Sequence, residues 1–300
     1  MDTNQQKIIV IVGPTASGKT SLAVHLGKAL NGEVISADSR QVYRSLDIGT
    51  AKITAEEMES VPHHLIDIRD PKEVYTAADF THDAHAAIQE IHARRHVPIV
   101  AGGSFQYIDA LLGKQSIPRV PPNAALRAEL ESKDTETLAE MLRKQDPQRA
   151  AQIDTQNPRR LVRALEIVAA LGKVPDVVVV PPPYDVLLIG LRMETDALKE
   201  KIFTRLEKRI NQGLVDETKK VLTRGISKAR LQEIGLEYKV ALEYIEGDLS
   251  ESEMRQKLKE KVWQYAKRQL TWLKKMNSVE WFAPTDQEQI LVRCREFLGH

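Results

Sequence analysis

Short apolar runs alternate with longer amphipathic stretches in the first third of the chain. The runs at 7–12, 33–37 and 97–101 have the length and composition of buried strands. Between them, residues 19–30 carry leucines at four-residue spacing, and residues 75–94 also have a helical pattern. Strand–helix–strand repeats at this spacing predict parallel βα units in a three-layer α/β core.

A helical insertion is predicted over residues 117–184, where the pattern favours helices and predicts no clear strand. Asn157 is suited to be an N-cap, Pro158 fits the first helical position, and Gly172 ends that helix. The apolar run at 177–180 could be a strand, but the three prolines after it favour a linker.

The pattern of the core returns after the insertion. A buried strand is predicted at 186–191, followed by mostly helical sequence with a basic helix at 254–276 and a short aromatic strand around Trp281-Phe282. The predicted organisation is a core in two parts with the insertion between them: 1–116, 117–184 and 185–300.

Composition narrows the class of protein only slightly. The 300 residues are 42% hydrophobic, which is typical of a globular chain, and 43 Lys and Arg balance 42 Asp and Glu. The single cysteine, Cys294, excludes an internal disulfide, and the histidines lack the spacing of a metal site. The first residues do not resemble a signal peptide, and no apolar run approaches the roughly 20 residues that span a bilayer. We therefore expect a cytoplasmic protein without a membrane partner.

A phosphate-binding loop is the clearest motif. Residues 13–20, GPTASGKT, match G-x-x-x-x-G-K-[ST] between a predicted strand and a predicted helix. Backbone N–H groups of such a loop point at an anion, Lys19 would neutralise phosphate charge, and Thr20 would offer its hydroxyl to Mg²⁺. The predicted phosphate-binding residues are Gly13, Pro14, Thr15, Ala16, Ser17, Gly18, Lys19 and Thr20. A di- or triphosphate is therefore the expected ligand.

The acid that an ordinary ATPase needs at a strand end is missing after the strand that ends at Ala101, which continues into Gly102-Gly103-Ser104. The nearby strand that does end in an acid is the one before Asp38. Because the carboxyl ends of parallel strands line the ligand crevice, Asp38 should face the phosphate loop. It could be a Mg²⁺ ligand, a general base, or simply a cap or turn residue.

Four segments in this order resemble the tRNA dimethylallyltransferase family: GPTASGKT at 13–20, DSRQVY at 38–43, DIGTAK at 47–52 and AKRQLTW at 266–272. The likeness extends over nearly the whole chain. It implies an enzyme that binds dimethylallyl diphosphate with Mg²⁺ in the P-loop instead of ATP. Such an enzyme prenylates the exocyclic amine of the adenine on the 3′ side of the anticodon. The implied partner is the tRNA anticodon stem-loop, and we expect a monomer.

The resemblance also implies roles for individual residues. Asp38 is expected to be the general base, while Lys19, Thr20 with Mg²⁺, and Arg205 hold the leaving diphosphate. The residues expected to bind tRNA are Asp38, Ser39, Arg40, Gln41, Ser104, Arg127, Arg159, Arg160, Leu161, Val162 and Arg163.

Helical spacing places Arg159 and Arg163 on one face and Leu161 on the opposite, buried one. The basic helix at 254–276 carries eight Lys and Arg against Glu260 alone, which suits an RNA backbone.

The chain departs from the family pattern at three places. Before Tyr265, Val262-Trp263 or their immediate neighbours replace the usual Thr-Arg pair. Ser104, Phe105 and Gln106 replace Thr, a small residue and Leu, and IGLEY at 234–238 replaces Ile-Gly-Tyr-Lys-Glu.

Three rival functions stay open. A P-loop small-molecule kinase could use Asp38 to activate a hydroxyl, and ATP turnover would identify it. A relative that prenylates free adenine nucleotides would need neither the insertion nor the basic helix. A non-enzymatic RNA-binding protein would not need a P-loop facing an acid.

Overall fold

The computed structural model describes residues 6–114, 118, 120–176 and 179–299. The chain folds as two compact units: Met1–Leu112 with Pro182–His300 form the core unit, and Gly113–Pro181 form the helical unit. The sequence predicts the insertion at 117–184, a few residues later at each end than the helical unit. Its predicted first residue, and the first half of the run at 177–180, lie outside the described residues.

The described part of the core unit contains one six-stranded sheet in the order β3-β2-β4-β1-β5-β6. Its strands are β1 Gln6–Val12, β2 Gly32–Ser36, β3 His63–His64, β4 Val97–Gly102, β5 Tyr184–Leu191 and β6 Glu280–Phe282. All five pairings are parallel. Strand β1 lies between β4 and β5 and has helices on both faces, which explains its uninterrupted apolar sequence. The predicted parallel α/β fold is confirmed.

The described helices are α1 Lys19–Ala29, α2 Ala55–Met58, α3 Ala77–Ala93, α4 Phe105–Leu111, α5 Ala124–Glu131, α6 Thr135–Gln145, α7 Pro147–Gln152, α8 Pro158–Leu171, α9 Thr195–Asn211, α10 Leu214–Thr223, α11 Lys228–Ile234, α12 Leu236–Ile245, α13 Glu251–Leu273 and α14 Gln287–Leu298. Within this set, no helix is both long and apolar enough to cross a membrane.

Two apolar cores cover the two faces of the sheet. Successive side chains of a strand point to opposite faces, so Val10 joins one core and Ile9 and Ile11 join the other. Helices α1 and α14 cover the Ile9 face, while α3, α4 and α9 to α13 cover the Val10 face. This is the three-layer arrangement that the sequence predicts.

The helical unit has a separate core built from α5 to α8, which includes Leu130, Leu142 and Leu161. Helix α8 begins and ends as predicted. The Asn157 side chain accepts a hydrogen bond from the N–H of Arg160, Pro158 occupies the first turn, and Gly172 ends the helix at φ 81°.

Helix α13 is less basic on its surface than its composition suggests. It begins at Glu251 rather than at residue 254, so two acids join its first turn. Its basic residues at 255, 257 and 259 form ion pairs with Glu207, Glu243 and Glu251. The positive charge in the first half of the helix is therefore partly compensated by these acids. In the described residues, the basic side chains without an ion pair lie further along: Lys261, Lys267, Arg268, Lys274 and Lys275.

Candidate active site

The loop between β1 and α1 has the backbone of an anion cradle. Gly18 adopts φ 96°, a left-handed conformation that glycine reaches without steric cost, and Ala16 lies at φ 63°. The N–H of Ser17 donates to the carbonyl of Pro14 at 3.2 Å, which closes the turn. Because no side chain caps α1 at Gly18, the first N–H groups of the helix stay available to an anion.

Lys19 and Arg205 are cationic side chains beside this loop. The Lys19 ammonium donates to the carbonyl of Pro14 at 2.8 Å. Burial and the charge of Arg205 lower the pKa of Lys19 to about 8, while Asp38 opposes them. Desolvation by burial and the charge of Arg209 lower the pKa of Arg205 in turn. The structure thus brings together Lys19, Arg205 and Asp38, which the sequence names from distant segments.

A cleft of about 1610 Å³ opens along α1 beside the loop, between the segment 47–59 and α9. Thr20 is exposed and lines this cleft, and its hydroxyl has no hydrogen bond within the described residues. No cluster of three His, Cys, Asp or Glu that could enclose a metal exists in the described ranges. Mg²⁺ often takes only one or two protein oxygens together with substrate phosphates and water, so the Thr20 hydroxyl fits such an ion.

Asp38 begins a tight turn directly after β2. Its Oδ1 accepts hydrogen bonds from the N–H groups of Arg40 at 2.9 Å and Gln41 at 3.3 Å. Its Oδ2 makes no hydrogen bond within the described residues, so it stays available to a ligand. The Ser104 hydroxyl accepts from the N–H of Ser39 at 2.9 Å. The five residues that the sequence names around Asp38 and Ser104 therefore lie together at the carboxyl end of the sheet.

The DIGTAK segment at 47–52 is held by residues that the sequence did not single out. The carboxylate of Glu217 accepts from the N–H groups of Asp47, Ile48 and Gly49 at 2.7–2.8 Å. Its fourth hydrogen bond comes from the Tyr238 hydroxyl at 2.8 Å. Gly49 is required here, because a Cβ at this position would lie 2.2 Å from Tyr238 Cζ.

Gln269 links the phosphate loop to the end of β4. Its Oε1 accepts from the N–H of Thr15 at 2.8 Å, and its Nε2 donates to the carbonyl of Gly103 at 2.9 Å. Gln269 is buried and continues the apolar stripe of α13 that includes Leu258 and Ala266. Its role is not predicted from the sequence, although a polar residue on a buried stripe is a signal that could have identified it.

In the helical unit, the residues predicted to contact RNA differ in their exposure and in their ion pairs. The side chains of Leu161 and Val162 are 0% and 5% exposed, because α8 turns them into the core of the unit. Arg127 and Arg163 pair with the buried carboxylate of Glu166, at 2.8 Å and 3.4 Å, so neither is a free surface charge. The guanidinium groups that remain exposed on this helix belong to Arg159 and Arg160.

Fold and site together define a P-loop α/β protein whose phosphate loop faces an aspartate turn rather than the strand-end acid of an ATPase. The family model described as IPP transferase matches residues 41–276. The chain belongs to this family.

Named relatives and solved structures agree with this assignment. The chain is 44% identical over 292 residues to a tRNA dimethylallyltransferase of Halalkalibacterium halodurans, covering 94% of this chain and 92% of the relative. It is 43% identical over 289 residues to one of Thermomicrobium roseum, with 94% and 88% covered.

The structure is similar to the full-length tRNA isopentenylpyrophosphate transferase from Bacillus halodurans, with a TM-score of 0.74, 41% identity and 98% and 97% covered. A eukaryotic dimethylallyltransferase solved while acting on tRNA gives a TM-score of 0.80 at 29% identity, with 95% of this chain and 75% of that chain covered.

Proposed function

We propose that this protein transfers a dimethylallyl group from dimethylallyl diphosphate to the exocyclic amine of the adenine on the 3′ side of the tRNA anticodon. The family membership and the named relatives support the transfer of a prenyl group to tRNA. The observation that carries the chemistry is the Asp38 turn, which leaves Oδ2 available near two cations of the phosphate cradle.

The proposed step is a substitution at C1 of the prenyl group. The amine nitrogen forms a bond to C1, the C1–O bond breaks, and its electron pair leaves with diphosphate. Asp38 Oδ2 accepts the amine proton, and Asp38 Oδ1 keeps the turn fixed through its two N–H donors. Lys19 and Arg205 stabilise the charge on the leaving group, and one preorganised donor of this kind is typically worth about 3–4 kcal/mol. The Thr20 hydroxyl would hold Mg²⁺, which neutralises further diphosphate charge.

Each unit carries its own proposed tRNA contacts, and these differ from the contacts expected from the sequence. The unpaired basic side chains of α13 and the exposed Arg159 and Arg160 are suited to backbone phosphates. Arg159→Ala should weaken tRNA binding and reduce its salt dependence by about one counterion. Arg127→Ala is the contrasting variant, since its guanidinium is already bound to Glu166. An unchanged dependence of tRNA affinity on salt in Arg159→Ala would show that Arg159 does not contact the tRNA phosphates.

Incubation with radiolabelled dimethylallyl diphosphate and unmodified tRNA tests the function directly. Label should appear in the tRNA with wild-type protein. With Asp38→Asn, the rate should fall by about a hundred- to ten-thousandfold, the usual contribution of a general base, while tRNA still binds. Robust ATP hydrolysis without label in the RNA would instead assign the P-loop to a kinase or ATPase. Equal losses of rate and binding would assign Asp38 to recognition.

A further inference from the structure

A buried carboxylate lies behind the Asp38 turn, between two arginines. Glu237 is the second residue of α12 and is 6% exposed. Its Oε2 accepts from Arg40 at 2.8 Å, and its Oε1 accepts from both terminal nitrogens of Arg209 at 3.3 Å. Burial raises the pKa of Glu237, but the charges of Arg40 and Arg209 outweigh burial and hold that pKa below its ordinary value. Glu237 is therefore an anion at neutral pH.

Arg40 connects this carboxylate to the aspartate turn. Its side chain is bound to Glu237 and lies over the Tyr265 ring, with its central carbon 5.3 Å from the ring centroid. Its backbone N–H donates to Asp38 Oδ1 at 2.9 Å. When both ends of Arg40 are held, the turn loses the freedom to rotate, and the direction of Asp38 is fixed with it.

Arg209 connects the same carboxylate to the DIGTAK segment. Its Nε donates to the carbonyl of Ile48 at 2.6 Å, and a terminal nitrogen donates to the carbonyl of Gly49. Without the Glu237 charge, the Arg40 and Arg209 guanidinium groups would lose the carboxylate that they share, which is costly for largely buried charges. The less anchored of the two, Arg40, would then move towards solvent. This carboxylate occupies the segment where the chain departs from the Ile-Gly-Tyr-Lys-Glu pattern of its family.

We propose that Glu237 is a positioning residue, which holds Arg40 and thereby keeps the Asp38 carboxylate in its orientation for proton transfer. The role of Glu237 rests on the proposed function, in which Asp38 accepts the amine proton. It predicts a defect mainly in the chemical step, because the P-loop, Lys19 and Arg205 make no hydrogen bond to Glu237 within the described residues, and the charge of Glu237 raises the pKa of Arg205 less than that of Asp38 does.

The test compares Glu237→Gln with a matched control, Glu33→Gln. Glu33 is also a buried carboxylate, 2% exposed and bonded to Arg94 and two histidines, but it lies near the start of β2, whereas Asp38 follows its end. Both variants remove a buried charge, so both should lower the melting temperature. Active-site concentration is measured by the stoichiometry of inorganic diphosphate binding, and kcat and KM are then measured with dimethylallyl diphosphate and tRNA.

Glu237→Gln should lower kcat per binding site by about 10- to 100-fold, the cost of a catalytic group displaced by about 1 Å, with an unchanged KM for dimethylallyl diphosphate. Glu237→Asp should recover part of kcat, and Glu33→Gln should keep the wild-type kcat per site. If Glu237→Gln does not fold, Glu237→Asp carries the test, and a wild-type kcat in that variant overturns the proposal.

Two other outcomes would also overturn it. A kcat per site in Glu237→Gln equal to that in Glu33→Gln would leave Glu237 with a purely structural role. A raised KM for dimethylallyl diphosphate with unchanged kcat would assign it to the diphosphate cradle. If wild-type protein transfers no prenyl group, the proposed function fails and the role of Glu237 fails with it. That result is distinct from one in which the wild type is active but Glu237→Gln and Glu33→Gln have the same kcat per site.

Discussion

Lys19 gives the phosphate cradle a pH dependence that can be measured without turnover. In the free protein, burial and the charge of Arg205 lower the pKa of the ammonium from 10.5 to about 8. A bound diphosphate supplies the opposite charge and favours the protonated form. The affinity that Lys19 contributes is therefore fully present below pH 8 and is lost progressively above it, up to the higher pKa that Lys19 has with diphosphate bound. Well above that pH, the loss should approach tenfold per pH unit, or about 1.4 kcal/mol.

Isothermal titration calorimetry with inorganic diphosphate and Mg²⁺ measures this effect. At pH 8 about half of Lys19 is neutral in the free protein, so binding should take up about half a proton. Titrations in two buffers with different ionisation enthalpies report that uptake. Lys19→Arg is the control, because arginine stays charged throughout this range and the ligand's own titration is the same in both proteins.

Equal proton uptake by wild type and Lys19→Arg at pH 8 would refute the reasoning. A second measurement checks the sign. The unfolded chain keeps the Lys19 proton up to about its ordinary pKa of 10.5, whereas the folded protein releases it near 8. The contribution of Lys19 to the free energy of unfolding of the ligand-free protein should therefore increase between pH 8 and 10.5. In Lys19→Met, which has no titrating group at this position, that increase should be absent.

Three further variants or reagents test other parts of the structure. Gln269→Ala removes the partners of the Thr15 N–H and the Gly103 carbonyl and should destabilise the phosphate loop by about 1–3 kcal/mol, the cost of leaving a polar group unsatisfied. Diphosphate affinity and melting temperature should both fall, and no change in either would contradict the contact. Gly49→Ala places a methyl group 2.2 Å from Tyr238 Cζ and should cost about 1–3 kcal/mol by urea unfolding. An unchanged midpoint would mean that the ring moves aside freely. Cys294 is fully buried and burial raises its thiol pKa to about 12, so a thiol reagent should label it only in denaturant. Rapid labelling in native buffer would contradict this burial.

Features that depend on neighbouring residues could be predicted from the sequence. The apolar run of β1, the left-handed Gly18 and the start of α1 each depend on residues close in sequence. The phosphate loop can therefore be identified from eight consecutive residues. The limits of α8 follow from Asn157 and Gly172 for the same reason. Asp38 could be placed near the loop because the ends of parallel strands meet at one edge of the sheet.

Tertiary structure alone decided the partners of the charged side chains. Glu217 binds the N–H of Gly49 across 168 residues of sequence, and nothing local to either residue indicates the contact. The same holds for the basic residues in the first half of α13, which pair with acids of other helices.

In the helical unit, Glu166 likewise removes Arg127 and Arg163 from the free surface. Hydrophobic periodicity and backbone conformation are properties of a short segment, and the sequence by itself determined them. The electrostatic state of a side chain depends on which distant groups the fold packs against it, and only the folded chain decided that.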